Sequence, residues 1–247
     1  MSQAPHKVEE LAALRDFSTP TISNAIEPFG VRPSNEGFMN PSMKSRFQAL
    51  GAMVGYATTV RVAADQRPSE ARPPVKGLEY WHYVDAQPGP KVAVVQDMDP
   101  WPVGSLWGEV NTNIHQALGC VGTVTQGGAR DLPDMEKLGF HTFSTAVLVS
   151  HAHIHYLDYG GPVRAGGITV HPGDLIHADL HGVVIIPPDI PLAELIHVAE
   201  TIEALEREIF AYCQSEEFHP DGLEELLKTT RARWPSRGGE DQSDLEL

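Results

Sequence analysis

Residues 108–131 read GEVNTNIHQALGCVGTVTQGGARD, and this stretch decides the fold class. Its first half places Val110, Ile114, Ala117 and Leu118 on one helical stripe behind a Gly108-Glu109 start. Its second half turns β-branched over 121–125, which predicts a short strand. Gly127-Gly128 then marks a turn, and Arg130-Asp131 opens a further helix over 131–138. A buried-type strand, KVAVV at 91–95, precedes this stretch, and a strand over 142–149 follows it. Strand and helix thus alternate through the middle of the chain, the pattern of parallel βαβ units in an α/β fold.

Outward from there, a helix is expected over 6–17 (Val8, Leu11, Ala12, Leu14). A second starts at Thr19-Pro20, with Thr19 as cap and Pro20 at the first helical position. Residues 30–49 and 65–76 read as polar loops, 51–62 as a strand and 77–85 as a helix. Residues 151–186 are strand and turn throughout, broken at Gly160-Gly161, Gly166-Gly167 and Pro172-Gly173, which favours antiparallel pairing. Leu195, Ile196, Ala199, Ile202, Leu205, Ile209 and Tyr212 form the apolar stripe of a long helix, and 222–230 a last one. We read residues 1–234 as a single domain and 235–247 as a disordered acidic tail.

The chain has 247 residues, long enough to bury a core without disulfides or structural metal. Eighteen basic against 33 acidic residues leave a net charge of −15, which argues against nucleic acid or an anionic membrane as main partner. Cys120 and Cys213 form no CxxC pair, and Cys120 reads as buried. No signal-peptide pattern and no run of membrane-spanning length is evident, so a cytoplasmic protein is expected. Neither G-x-S-x-G, a P-loop nor a G-x-G-x-x-G after a strand occurs.

Two constellations remain. The first lies at the helix starts Gly108-Glu109 and Gly127-Gly128-Ala129-Arg130-Asp131, where free backbone N–H groups attract anions. Arg130 suits two-point binding of a carboxylate, and Asp131 is a hard oxygen ligand for Mg²⁺ or Mn²⁺. Together they would hold a 2-oxo acid. The plainer reading makes Asp131 an N-cap, with Asp134 three residues on, and Arg130 an ordinary surface partner. Residue types alone leave both open.

The second constellation is histidine-rich. His151, His153 and His155 alternate and would share one face of a strand, with His171, His177 and His181 on the strands that follow. Such a face could hold a transition metal, though a hydrated sheet surface or a subunit contact explains it more simply. His151-Ala152-His153 also touches the cupin pattern, but the Glu that should follow is missing and the two helices at 108 and 131 are foreign to a small β-barrel.

Several segments, in order, resemble the RraA-like family, which includes the divalent-metal-dependent 4-hydroxy-4-methyl-2-oxoglutarate / 4-carboxy-4-hydroxy-2-oxoadipate aldolases. They are STPTISNAIE, GYATTV, KVAVVQD, the 108–131 stretch, LGFHTFS and GPVRAGGITVHPGDLIHADLHGVVIIP. The resemblance implies an α/β/β sandwich of the swivelling, phosphohistidine-domain-like type with N- and C-terminal helices, assembled as a homotrimer or homohexamer with sites between subunits. It implies a substrate-binding turn at Gly108, Glu109, Val110 and Asn111, a substrate arginine at Arg130 and a metal aspartate at Asp131. It also places at Glu109 an acid that organises the catalytic water. Asn24 and His141 depart from the family's usual Asp and Pro, and the HAHIH run is not part of its pattern.

The implied activity is Mg²⁺- or Mn²⁺-dependent cleavage of a 4-hydroxy-2-oxo acid to pyruvate, with oxaloacetate decarboxylation as a side reaction and Arg130 and Glu109 as catalytic residues. The rival is the family's non-catalytic role, inhibition of the endonuclease that starts RNA decay. A third label, menaquinone methyltransferase, finds no nucleotide-binding glycine loop here.

Overall fold

The computed structural model describes residues 6–71 and 73–235; the expected acidic tail falls outside them from residue 236 on. Five strands run parallel at its centre. These are β2 (Met53–Ala63), β3 (Lys91–Asp97), β4 (Ser105–Trp107), β5 (Cys120–Ala129) and β6 (His141–Val147), with β5 pairing β3, β4 and β6. β4 takes over the place beside β5 where β3 leaves it: Val95 pairs with Thr125 and Ser105 with Gly128.

Antiparallel strands complete the sheet. β10 (Leu175–Asp179) pairs the first half of β2 and β11 (Gly182–Ile186), while β7 (His155–Tyr159) pairs the second half of β2, and the two-residue β1 (Lys44–Ser45) flanks β6. Among the described residues this makes a nine-stranded mixed sheet, with a separate hairpin of β8 (Val163–Ala165) and β9 (Ile168–Val170).

Strand alternation sorts the core into layers. Ala93 and Val95 face α3 (Gly77–Asp85), α4 (Glu109–Ala117) and α5 (Leu132–Lys137), packing with Tyr80, Trp107 and Met135. Val92 and Val94 face the β8–β9 hairpin through Val163, Ala165 and Val170. Val54 and Tyr56 of β2 pack with α1 (Val8–Ala13), α2 (Thr19–Ile26) and α6 (Leu192–Cys213). Helices, main sheet and hairpin thus follow the expected α/β/β order. A last helix, α7 (Pro220–Arg231), packs on α6.

Several local expectations are corrected. Gly127 and Gly128 lie inside β5 rather than in a turn. They are glycines because of close neighbours. A Cβ on Gly127 would stand 2.9 Å from the Asp97 carboxylate, and one on Gly128 would overlap Leu148. The cap of α2 is Ser18, whose Oγ accepts the Thr21 N–H at 3.1 Å. Thr19 is occupied elsewhere: its N–H donates to Asp179 and its hydroxyl bonds His177 Nδ1. The stripe expected on α4 is also displaced. Its buried residues are Thr112 and His115, whereas Val110 is 71% exposed.

Candidate active site

The site lies at the C-terminal ends of β4 and β5, where two helices begin. Gly108 is the N-cap of α4, and its extended backbone (φ −162°) is open to any residue. Space is what excludes a side chain. A Cβ here would overlap Asp131 Oδ2 and stand 3.2–3.3 Å from the Arg130 side chain. The turn that starts α4 is therefore pressed against the Arg130-Asp131 pair.

Asp131 holds the N-cap position of α5 in a left-handed conformation (φ 56°), costly for a residue with a side chain and least so for Asp or Asn. Its carboxylate makes no cap bond to α5. It reaches across instead, and Oδ2 accepts the Glu109 N–H at 3.1 Å. The capping-box explanation of Asp131 thus fails in geometry: the strained backbone aims its carboxylate at the other helix start. Arg130 Nε lies 3.8 Å from the same oxygen, with the two side chains 36% and 39% exposed. A pair so open to water adds little stability. The Arg130 N–H donates to Trp107 O at 3.0 Å, which ties β5 to the residue just before Gly108.

The first turn of α4 carries amides that the helix itself cannot use. Glu109's is taken by Asp131, and those of Val110 and Asn111 follow on the same turn. Asn111 turns its side chain inward, and Nδ2 donates to Leu106 O at 2.6 Å. Glu109 is exposed. Gly108, the Glu109 backbone, Arg130 and Asp131 therefore lie together, with the Val110 and Asn111 backbone N–H groups on the same first turn of α4.

The histidine constellation is not assembled. His151 and His153 lie in a turn, Ala152 between them at φ 46°, and only His155 begins a strand. His177 is fully buried, with Nδ1 on Thr19 and Nε2 on Leu14 O, so neither nitrogen is free for a metal. Among the described residues no three His, Cys, Asp or Glu are grouped to hold an ion. Burial pushes the Cys120 thiol up to about 12, which leaves it unreactive. Sequence reasoning missed two residues beneath the site, Trp107 and His115. Both are fully buried, with ring centroids 4.6 Å apart. The run TNIH carries a helical i,i+3 signal in Thr112 and His115, but in polar residues that an apolar count passes over.

Comparison with known proteins agrees with this architecture. The RraA-like (Aldolase/RraA) family model matches residues 19–185, and the chain belongs to that family. Protein DlpA of Legionella pneumophila is 27% identical over 204 residues, 81% of this chain; the chain spans about a third of DlpA's length (31%). A Halalkalibacterium halodurans protein named "Putative 4-hydroxy-4-methyl-2-oxoglutarate aldolase" is 25% identical over 76% of this chain and 80% of its own. Among solved structures, an uncharacterized Pseudomonas syringae protein superposes with a TM-score of 0.72 at 25% identity, covering 93% of this chain and 97% of that one. Streptomyces coelicolor RraAS2, described as an unusual member of the RNase ES inhibitor RraA family, superposes at 0.65 with 23% identity, over 83% of this chain and 96% of its own. No helix among the described residues is long and apolar enough to cross a membrane.

Proposed function

We propose that this chain is a divalent-metal-dependent carbon–carbon lyase that cleaves a 4-hydroxy-2-oxo acid to pyruvate and decarboxylates oxaloacetate as a side reaction. The observation that carries the reading is the Asp131 carboxylate. It is held by a strained backbone and one amide, beside a guanidinium and a helix N-terminus. A single carboxylate with waters and substrate oxygens is a sufficient protein contribution for Mg²⁺ or Mn²⁺, and its Oδ2 takes the space that a Gly108 side chain would fill.

Asp131 would hold the ion. When bound, it supplies Lewis-acid stabilisation of negative charge on the keto oxygen. Arg130 binds the 2-oxo acid carboxylate by two points, and the Val110 and Asn111 N–H groups donate to the same anion at the positive end of α4. In aldol cleavage the C4 hydroxyl passes its proton to a water beside Glu109, and the C3–C4 bond breaks as C4 becomes a carbonyl. Its electron pair becomes the enol double bond, and C3 then takes a proton to give pyruvate. Arg130 offsets the charge that develops. Glu109, at the mouth, orders the water that returns the proton. Oxaloacetate loses CO₂ through the same redistribution of electrons.

Val110 is exposed on the first turn of α4, and Val147 and Val149 are exposed at and just beyond the end of β6, which pairs with β5. A second copy of the chain covering them would close the cleft, in a homotrimer or homohexamer. The RNase-inhibitor role named for the Streptomyces relative needs a surface and has no use for a carboxylate aimed across two helix starts. The test is pyruvate release from oxaloacetate and from a panel of 4-hydroxy-2-oxo acids, with Mg²⁺, with Mn²⁺ and after chelation. Release that depends on the ion supports the reading, and release indifferent to chelation sinks it.

A further inference from the structure

His115 is the one imidazole under the candidate site, and no role proposed above uses it. It sits on the buried face of α4 with no exposed surface. Its Nδ1–H donates to Asn111 O at 2.7 Å, one helical turn back toward the site. Asn111 is thereby pinned twice, through its carbonyl by His115 and through its side chain to Leu106 O at 2.6 Å.

The same ring meets Trp107 edge-on, centroids 4.6 Å apart at 61°. Trp107 in turn accepts the Arg130 N–H and the Ser105 hydroxyl on its carbonyl. One side chain thus touches both arms of the site: the helical turn that offers amides, and the strand residue that fixes where Arg130 leaves the sheet. Nε2 is buried and makes no hydrogen bond. Since Nδ1 must carry the proton to reach a carbonyl, the ring is the neutral Nδ1–H tautomer.

We propose that His115 is a positioning residue, whose Nδ1–H bond to Asn111 fixes the direction of the Val110 and Asn111 amides toward an anion bound against Arg130. The proposal rests on the lyase reading and extends it to a residue that touches neither substrate nor metal. Burial lowers the imidazole pKa to about 4, so the donor persists unchanged across the neutral range. Its loss should weaken anion binding without adding a limb to the pH profile above pH 5.

The test is oxalate binding by calorimetry in the presence of Mg²⁺, paired with KM and kcat for oxaloacetate and with melting temperature. His115→Phe keeps the ring against Trp107 and removes the donor. His115→Asn keeps a donor at the equivalent of Nδ1 and removes the ring. The proposal expects oxalate Kd and KM to rise about tenfold in His115→Phe with kcat within about threefold, and His115→Asn to stay within about threefold throughout. Wild-type oxalate affinity in His115→Phe would overturn it, as would equal losses in both variants.

Should His115→Phe fail to fold, ¹⁵N spectra of the wild-type imidazoles decide. A protonated Nδ1 resonance that shifts on oxalate addition supports the proposal, and one that stays still overturns it. A wild-type protein that binds no oxalate and releases no pyruvate is a different result: it removes the lyase reading and this proposal with it.

Discussion

Replacing Gly108 with alanine adds one methyl group where Asp131 Oδ2 already stands. The backbone does not resist the change, since φ −162° is open to alanine. Two things must give. Asp131 has to leave the Glu109 amide, and the Arg130 side chain, 3.2–3.3 Å from the new atom, has to yield by a few tenths of an ångström. A hydrogen bond to a charged acceptor is worth about 1.5–3 kcal/mol, and the partial exposure of this carboxylate places the loss at the lower end, about 1–2 kcal/mol. In a chain of this size that corresponds to a fall in melting temperature of roughly 2–8 °C. The functional loss is larger, because a displaced Asp131 no longer presents its free oxygen. Mn²⁺ affinity, read by electron paramagnetic resonance, should fall at least about tenfold, since 1.4 kcal/mol is one decade. Gly161→Ala is the control: its Cβ would meet nothing within 4 Å, and its melting temperature and Mn²⁺ affinity should match wild type. A Gly108→Ala protein with wild-type Mn²⁺ affinity and pyruvate release would refute the claim that this contact shapes the site.

Other outcomes follow from the same geometry. Lys91 is 6% exposed, and its ammonium donates to Asp85 O and Leu118 O, where α3 and α4 end. Lys91→Met leaves both carbonyls without that donor and should cost about 2 kcal/mol, visible in urea denaturation with an unchanged m value. Burial raises the Asp97 carboxyl to about 6, so between pH 4 and 6 the folded chain binds more protons here than the unfolded one. This group's contribution to stability therefore falls as pH rises through that window, and Asp97→Asn should flatten the fall in melting temperature measured from pH 4 to 6.5. His141 behaves oppositely. Burial, aided by Arg15, lowers its pKa to about 4, so its folded site resists the proton that the unfolded chain accepts. Stability is lost as pH falls from about 6.5 toward 4, and His141→Gln should lessen that loss, read by the same melts.

The parts of the fold that were legible in the sequence are those set by short-range chemistry. The alternation of 91–149 marks β3, α4, β5, α5 and β6 in parallel order, and the helix starts at Gly108-Glu109 and Arg130-Asp131 read as one anion-binding constellation. What escaped was decided by distant partners. Gly127-Gly128 has the composition of a turn, yet it is strand, because Asp97 and Leu148 take the space a side chain would fill. β4 is three residues long and exists by pairing with β5. Thr19 has the right chemistry for a cap and lost that place to Ser18 because β10 claims its amide and hydroxyl. The α4 stripe misled for a related reason. Its buried face carries Thr112 and His115, polar groups that apolar periodicity ignores, while Val110 is left at the mouth of the site. Of the alternating histidines read as a strand face, His151 and His153 lie in a turn and only His155 begins β7.

The most direct test of the account is a crystal grown with Mn²⁺ and pyruvate, with anomalous scattering recorded to place the metal. The account predicts an anomalous peak about 2.0–2.3 Å from an Asp131 carboxylate oxygen, with the pyruvate carboxylate against Arg130 and the first turn of α4. A fully active preparation whose manganese binds elsewhere, with Asp131 and Arg130 bare of both ion and ligand, would contradict it.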